Sequence, residues 1–368
     1  MKKLCLIYNT APRYRESIFC KIDEEYDCEW YFGPKHGDIK EMDMSKLKNV
    51  HRIRQFGNPN RILIKLGMLR LLFKKEYQTY FMLAETRSIT DWLFFWMAHN
   101  FFPKKKVYIW THGWYGKETG VDAKMKLWLY RHVAGTFVYS NYARELLMKE
   151  GIPGDKLFTI YNSLHYDQQK QLRECITASP IYADHFKNAN LVIIFIGRLT
   201  KVKQLDMLVE AVADLNKKRC PCNLVFVGDG EEKEDLMKLA KQLDITDSVW
   251  FYGACYDERT NAELIYNADL CVAPGNVGLT AMHTMVFGTP VISHNNFKWQ
   301  MPEFEAIRPG ETGDFFEYKN ERSLVETISK WFKEKNDKRE EVRKACFKEI
   351  DTLWNPYYQM DVIKRNIK

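Results

Sequence analysis

The chain has 368 residues, 46% hydrophobic and 28% charged, proportions that exclude a wholly disordered, collagen-like or coiled-coil protein. Fifty-five Lys and Arg against 48 Asp and Glu leave a net charge of +7, which permits an anionic partner without choosing one. The length implies two domains, or three at most.

The first half alternates short apolar runs with helical segments. Residues 3–9 read as a buried strand, 15–26 as a helix and 27–33 as a second strand. The opening Met1-Lys2-Lys3 leads straight into a strand that turns polar at Asn9, unlike a secretory leader. Residues 60–76 read as a helix with mixed cationic and apolar positions, followed by a strand at 79–85 and a helix at 89–102. A strand over 105–113 ends in His112 and Gly113. A helix, the strand at 136–140, a helix closed by Gly151 and the strand at 156–162 follow. From about 165 to 190 the pattern weakens and turns polar, as an inter-domain connection does. The second half repeats the alternation from the strand at 191–199 to the strand at 289–294, and the tail is helical with a break at Pro356. Strands alternating with helices imply parallel βαβ units, hence an α/β chain of two doubly wound, Rossmann-like domains with a ligand cleft at the strand carboxyl ends.

Two segments of the second half carry the chemistry. In the first, a strand ends at Gly197, and Arg198 and Lys203 follow before an amphipathic helix. Two cations near a helix N-terminus suit a diphosphate, or form a solvated basic turn. In the second, a strand meets the Gly-rich turn Gly275-Asn276-Val277-Gly278 and feeds a short helix. Backbone N–H groups at Gly278, Leu279 and Thr280 are left over by helix geometry and suit an anion. His283, one turn on, is a functional candidate or an ordinary core or surface helix histidine.

In this order the segments resemble glycosyltransferase family 4. The shared residues are Gly197-Arg198-Leu199 with Lys203, then Gly278-Leu279, Met285 and Gly288-Thr289-Pro290-Val291-Ile292. The resemblance implies the GT-B fold, two Rossmann-like domains facing across a cleft. The implied boundaries are 1–170 on the acceptor side, 188–345 for the donor and 346–368 as a helix crossing back. It also implies a retaining transfer from a nucleotide-diphospho-sugar without metal or other cofactor. The acceptor would be a saccharide, free or lipid-linked, in surface polysaccharide synthesis. Arg198 and Lys203 would meet the diphosphate, and His112 would sit on the acceptor side. Gly197, Gly228, Ala254, Gly275, Asn276, Gly278, Leu279, Thr280 and His283 would line the donor. The family's paired glutamates fall on Gly275 and His283, so both carboxylates are missing. A non-catalytic nucleotide-sugar binder is the alternative.

Nine cysteines lack regular spacing, which suggests a reducing cytosol. Cys220-Pro-Cys222 lacks the second pair that a zinc site needs. No apolar run reaches the ~18–20 residues of a membrane span. The cationic stretch 60–76, with Arg61, Lys65, Arg70, Lys74 and Lys75, is either a peripheral contact to an anionic membrane face or a packed helix with a solvated side. No basic-aromatic recognition motif supports nucleic-acid binding.

Overall fold

A computed structural model describes residues 3–35, 40–58, 62–218 and 220–367. The chain forms two compact units, one of residues 1–165 with 355–368, the other of 166–354.

The strands of the first unit are β1 (Lys3–Tyr8), β2 (Cys28–Phe32), β3 (Val50–Arg52), β4 (Gln55–Gly57), β5 (Leu63–Lys65), β6 (Tyr77–Leu83), β7 (Lys106–Thr111), β8 (Gly135–Val138) and β9 (Leu157–Thr159). Seven of them form a parallel sheet in the order β3-β2-β1-β6-β7-β8-β9. Parallel strands covered on both faces need continuous apolar runs, and β1 supplies one with five buried residues in six. Helices α1 (Glu16–Glu25), α2 (Ile89–Phe101), α3 (Gly120–His132) and α4 (Asn141–Lys149) connect the strands. One face of the sheet is packed with aromatic rings. Trp30, Phe32, Phe19, Phe81, Trp110 and Phe137 are all fully buried there, with Phe81 stacked on Trp110 at 5.4 Å. Much of the chain's 14% aromatic content goes into this layer.

Residues 60–76 do not form the continuous amphipathic helix that their spacing suggests. Leu63–Lys65 is a strand, paired antiparallel with β4. Gly67 takes a left-handed conformation (φ 79°), and a short 3-10 helix follows over Met68–Phe73. Lys65 turns inward, 2% exposed, and its ammonium pairs with Asp91 at 2.9 Å and Glu85 at 2.5 Å. Asp91 in turn accepts from the Ser88 hydroxyl, the N-cap of α2. A cation held this way is no surface charge, and removing one partner would cost ~3–5 kcal/mol. Arg61 lies outside the described residues.

The second unit opens with α5 (Tyr166–Cys175) and α6 (Ile181–Phe186), where the sequence shows only a polar connection. Its strands β10 (Leu191–Ile196), β11 (Cys222–Val227), β12 (Val249–Gly253), β13 (Leu270–Ala273), β14 (Val291–His294) and β15 (Gly313–Phe316) run in the order β12-β11-β10-β13-β14-β15, all parallel. Helices α7 (Leu205–Lys217), α8 (Lys233–Gln242), α9 (Glu258–Asn267), α10 (Thr280–Met285), α11 (Glu321–Lys335) and α12 (Arg339–Leu353) complete it. The order reverses direction beside β10, so β10 and β13 flank a topological switch point, where α/β sheets bind ligands.

The last helix, α13 (Pro356–Asn366), belongs to the first unit. Asn355 caps it through the Tyr357 and Tyr358 amides. Gln359 is fully buried, accepting from the Ser163 hydroxyl at 2.6 Å and donating to the Tyr161 carbonyl at 3.0 Å. The return to the first unit begins at Asn355, so residues 346–354 stay with the second.

Candidate functional site

At the switch point of the second unit, three loops after adjacent strands lace together. Gly197 ends β10 and donates to the Val227 carbonyl at 3.0 Å. Gly228 ends β11, and a Cβ there would lie 1.8 Å from the Gly197 carbonyl oxygen. Any side chain at 228 would push these loops apart. Ala254 follows β12 and is exposed.

The turn after Gly197 carries the two cations. Arg198 is exposed. Lys203 is half-buried and ends the short 3-10 turn Lys201–Lys203. Gln204 then adopts a left-handed conformation (φ 51°) as the residue before α7. The related family motif has glycine at this position, and the left-handed backbone supplies the reason. Gln204 carries strain of about 1–3 kcal/mol.

Lys203 is fixed by the Gly-rich turn opposite. Its ammonium donates to the Asn276 carbonyl at 2.7 Å and to Asn276 Oδ1 at 2.8 Å. Its carbonyl accepts from the Gly275 amide at 2.8 Å. Burial lowers the Lys203 pKa to about 8, with Arg198 adding to the effect and Glu303 opposing it. The approach to Gly275 is too close for a side chain. A Cβ there would meet the Val202 carbonyl oxygen at 2.1 Å and Lys203 Cα at 2.7 Å. The glutamate that the resemblance expects at 275 therefore has no room beside this lysine.

The segment 297–306 supports the same turn. Gln300 is 2% exposed and accepts from the Val277 amide at 2.9 Å. It also donates to the Ser293 hydroxyl and the His294 carbonyl at 2.7 and 3.0 Å. Thr280 ties α10 to β10 through a 2.9 Å bond to the Ile196 carbonyl. Leu279 is the N-cap of that helix and Gly278 precedes it, and helix geometry supplies no acceptor for the amides of Leu279 and Thr280.

His283 is bound to a carboxylate from elsewhere in the unit. Its Nε2 lies 3.0 Å from Glu258 Oε1, and Gln169 donates to the same oxygen at 2.8 Å. Burial alone would raise the Glu258 pKa. The hydrogen bonds from His283 and Gln169 bring it below the usual carboxylate value. Glu258 lies 25 residues from His283, and no sequence spacing links them.

His112 belongs to the first unit, directly after β7, with its ring 5.0 Å from that of Tyr139. His112 is exposed as a residue, yet surrounding protein desolvates its imidazole. That desolvation lowers its pKa to about 4, and the Arg15 charge adds to the effect. Near neutral pH the imidazole is uncharged. Gly197, Arg198, Lys203, Gly228, Gly275, Asn276, Gly278 and Leu279 follow strands of the second sheet at its carboxyl edge, and Thr280 and His283 lie in α10, which this edge feeds. Glu258, Gln169 and Gln300 join them without any signal in the sequence motif.

Residues 182–349 match the family model described as Glycosyl transferases group 1. An uncharacterized glycosyltransferase of Haemophilus influenzae is 37% identical over 114 residues, 30% of this chain and 31% of that protein. The chain thus matches about a third of that curated relative's length. Two solved structures cover nearly the whole chain. The lipopolysaccharide outer core galactosyltransferase WaaB superposes with a TM-score of 0.73 at 15% identity, covering 99% of this chain and all of that one. Anabaena HepE in complex with UDP gives 0.71 at 16%, covering 99% of each. At these identities the structures establish the fold, which is GT-B.

The fit of Gly275 against Lys203 is directly testable. Gly275→Ala should destabilise the chain by ~1–3 kcal/mol through overpacking, and Gly275→Glu by more. Both should weaken UDP binding measured by calorimetry. A Gly275→Glu protein that melts at the native temperature and binds UDP more tightly would contradict the geometry.

Proposed function

We propose that this GT-B chain, whose second unit carries the group 1 glycosyltransferase match, is a retaining glycosyltransferase. It moves a sugar from a nucleoside-diphospho-sugar to a saccharide acceptor in surface-polysaccharide synthesis. The observation that carries this reading is that the Arg198–Lys203 turn and the segment Gly278 to Thr280 that starts α10 follow the neighbouring strands β10 and β13. Both are positive and sit at the carboxyl ends of adjacent strands. A leaving diphosphate gains charge as the sugar C1–O bond breaks, and fixed positive groups stabilise that gain. No metal is required in this scheme, since the two cations neutralise the leaving group.

His283 would take the place of a ribose-binding carboxylate. Glu258 fixes its Nε2, which leaves Nδ1 to meet a hydroxyl. Neutral His112, in the first unit, would orient the acceptor by hydrogen bonding. The acceptor hydroxyl attacks C1 from the face that the diphosphate leaves, and its proton passes to the departing phosphate oxygen.

The lipid-linked form of the acceptor draws support from the surface of the first unit. The hairpin β4–β5 exposes Phe56 and Ile64, the 3-10 turn exposes Phe73, and α2 exposes Ile89, Leu93, Trp96 and Phe101. Arg54, Arg70, Lys74, Lys75 and Lys104 are exposed on the same elements or beside them. Among the described residues no helix is long and apolar enough to cross a membrane. Exposed apolar side chains and cations on the same elements suit an anionic bilayer surface, each cation adding ~1 kcal/mol near it.

Incubation with UDP-, GDP- and TDP-sugars and a saccharide acceptor should release nucleotide with one of these donors. Arg198→Ala and Lys203→Ala should each slow release by roughly 10²–10³-fold, the size of effect seen when one charge-stabilising group is lost. Full activity in both variants would overturn the role of the turn. Binding of donors with no release from any would favour the non-catalytic binder.

Vesicle sedimentation tests the membrane contact. The chain should pellet with anionic vesicles and less with neutral ones, and Phe73→Ser with Trp96→Ser should abolish pelleting. Equal pelleting of the variant would place the contact elsewhere.

A further inference from the structure

Three Lys or Arg residues are buried among the described residues, namely Lys65, Arg343 and Arg15, at 2%, 6% and 7% exposure. Lys65 pairs with Asp91 and Glu85. Arg343 pairs with Glu340 at 2.7 Å and donates to the Tyr266 carbonyl. Arg15 differs. It follows β1 in the first unit, and no carboxylate pairs with it among the described residues. Its Nη2 donates to the Tyr139 hydroxyl, and its guanidinium lies 4.6 Å from the Trp110 ring centre. Its Nη1 has no hydrogen-bond partner.

Two more buried donors in the same corner are also unpartnered. They are Trp110 Nε1, from a side chain at 0% exposure, and the Tyr8 hydroxyl, at 2%. The rings of Tyr8 and Trp110 are 6.2 Å apart. A buried donor left without an acceptor costs ~1–3 kcal/mol, more when charged, and three at one place are far outside the usual frequency. Guanidinium and indole N–H groups only donate. What completes them must accept hydrogen bonds, and beside the Arg15 cation an anionic acceptor does so best. The planar guanidinium fork matches a carboxylate or a phosphate. The corner lies at the carboxyl edge of the sheet and includes Tyr139, whose ring is 5.0 Å from the solvent-touching His112. Neutral His112 brings no competing charge to this opening.

We propose that Arg15, Trp110 and Tyr8 form an oxyanion site that holds the carboxylate or phosphate of an anionic saccharide acceptor. The saccharide part rests on the transfer reading above; the oxyanion site does not. The Arg15 cation stays buried without a protein counter-ion because the ligand supplies one.

Ligand-observed NMR on the full chain tests this with glucuronate, glucose 6-phosphate, inorganic phosphate and glucose. At least one acidic sugar should bind about tenfold or more tightly than glucose, the scale of one charged hydrogen-bond pair. Arg15→Gln should remove that preference while UDP binding to the second unit stays native. Inorganic phosphate binding as well as the acidic sugars would still support the site, and would identify free phosphate as a source. Equal binding of glucose and the acidic sugars would overturn it, as would an undiminished preference in Arg15→Gln. Without ligand, Arg15→Met should melt no lower than the native chain, since it removes an unpaired buried charge. A clear fall in melting temperature would instead make Arg15 a structural cation held by aromatic rings, and would also overturn the site. Failure of the native chain to bind any of UDP, GDP and TDP would count against the donor reading and leave the oxyanion result standing.

Discussion

The backbone of Lys203 lies against Gly275, and the organisation of the second unit's switch point follows from that contact. The Gly275 amide bonds the Lys203 carbonyl at 2.8 Å, and the Asn276 carbonyl and side chain hold the ammonium. A cation at this depth needs acceptors, or it loses its proton. Asn276 supplies two neutral ones, and Glu303 adds a favourable field. The ammonium is therefore kept in place without being fully neutralised. It retains charge for a further anion, which is what a diphosphate-binding lysine requires.

The same contact accounts for the missing glutamate. With Val202 and Lys203 backbone atoms within 3 Å of a Cβ at 275, only glycine fits. The second missing carboxylate is replaced in a different way. His283 occupies its position and draws a carboxylate from α9, where Glu258 is fixed by Gln169. Negative charge is thus held against His283 by Glu258, a residue distant in sequence. The departure from the family pattern is consistent with a rebuilt donor site.

Much of the fold was legible because parallel strands leave a plain trace. The run at 191–196, buried at five of six positions, can be little else between helical segments. The Gly197-to-Lys203 and Gly278-to-Thr280 signals were legible because turns and helix starts constrain residue type locally. Residues 60–76 were misread for a physical reason. Their apolar positions fit a helix period, but Gly67 takes a left-handed backbone and Lys65 is drawn inward to Asp91. A buried ion pair overrode local periodicity. Glu258, Gln169, Gln300 and Arg15 were invisible as site residues because their partners lie far along the chain. Only tertiary contact reveals Arg15 as a buried cation with no carboxylate paired to it among the described residues.

The central claim is that the Lys203–Gly275 arrangement recognises a diphosphate. The direct measurement is a calorimetric comparison of nucleoside diphosphates with their nucleosides, UDP against uridine and GDP against guanosine. At least one diphosphate should bind ~10²-fold or more tightly than its nucleoside, the scale of two charged hydrogen-bond partners. That margin should shrink as pH rises above about 8, where the Lys203 ammonium loses its proton. Equal affinities for diphosphate and nucleoside would contradict the account.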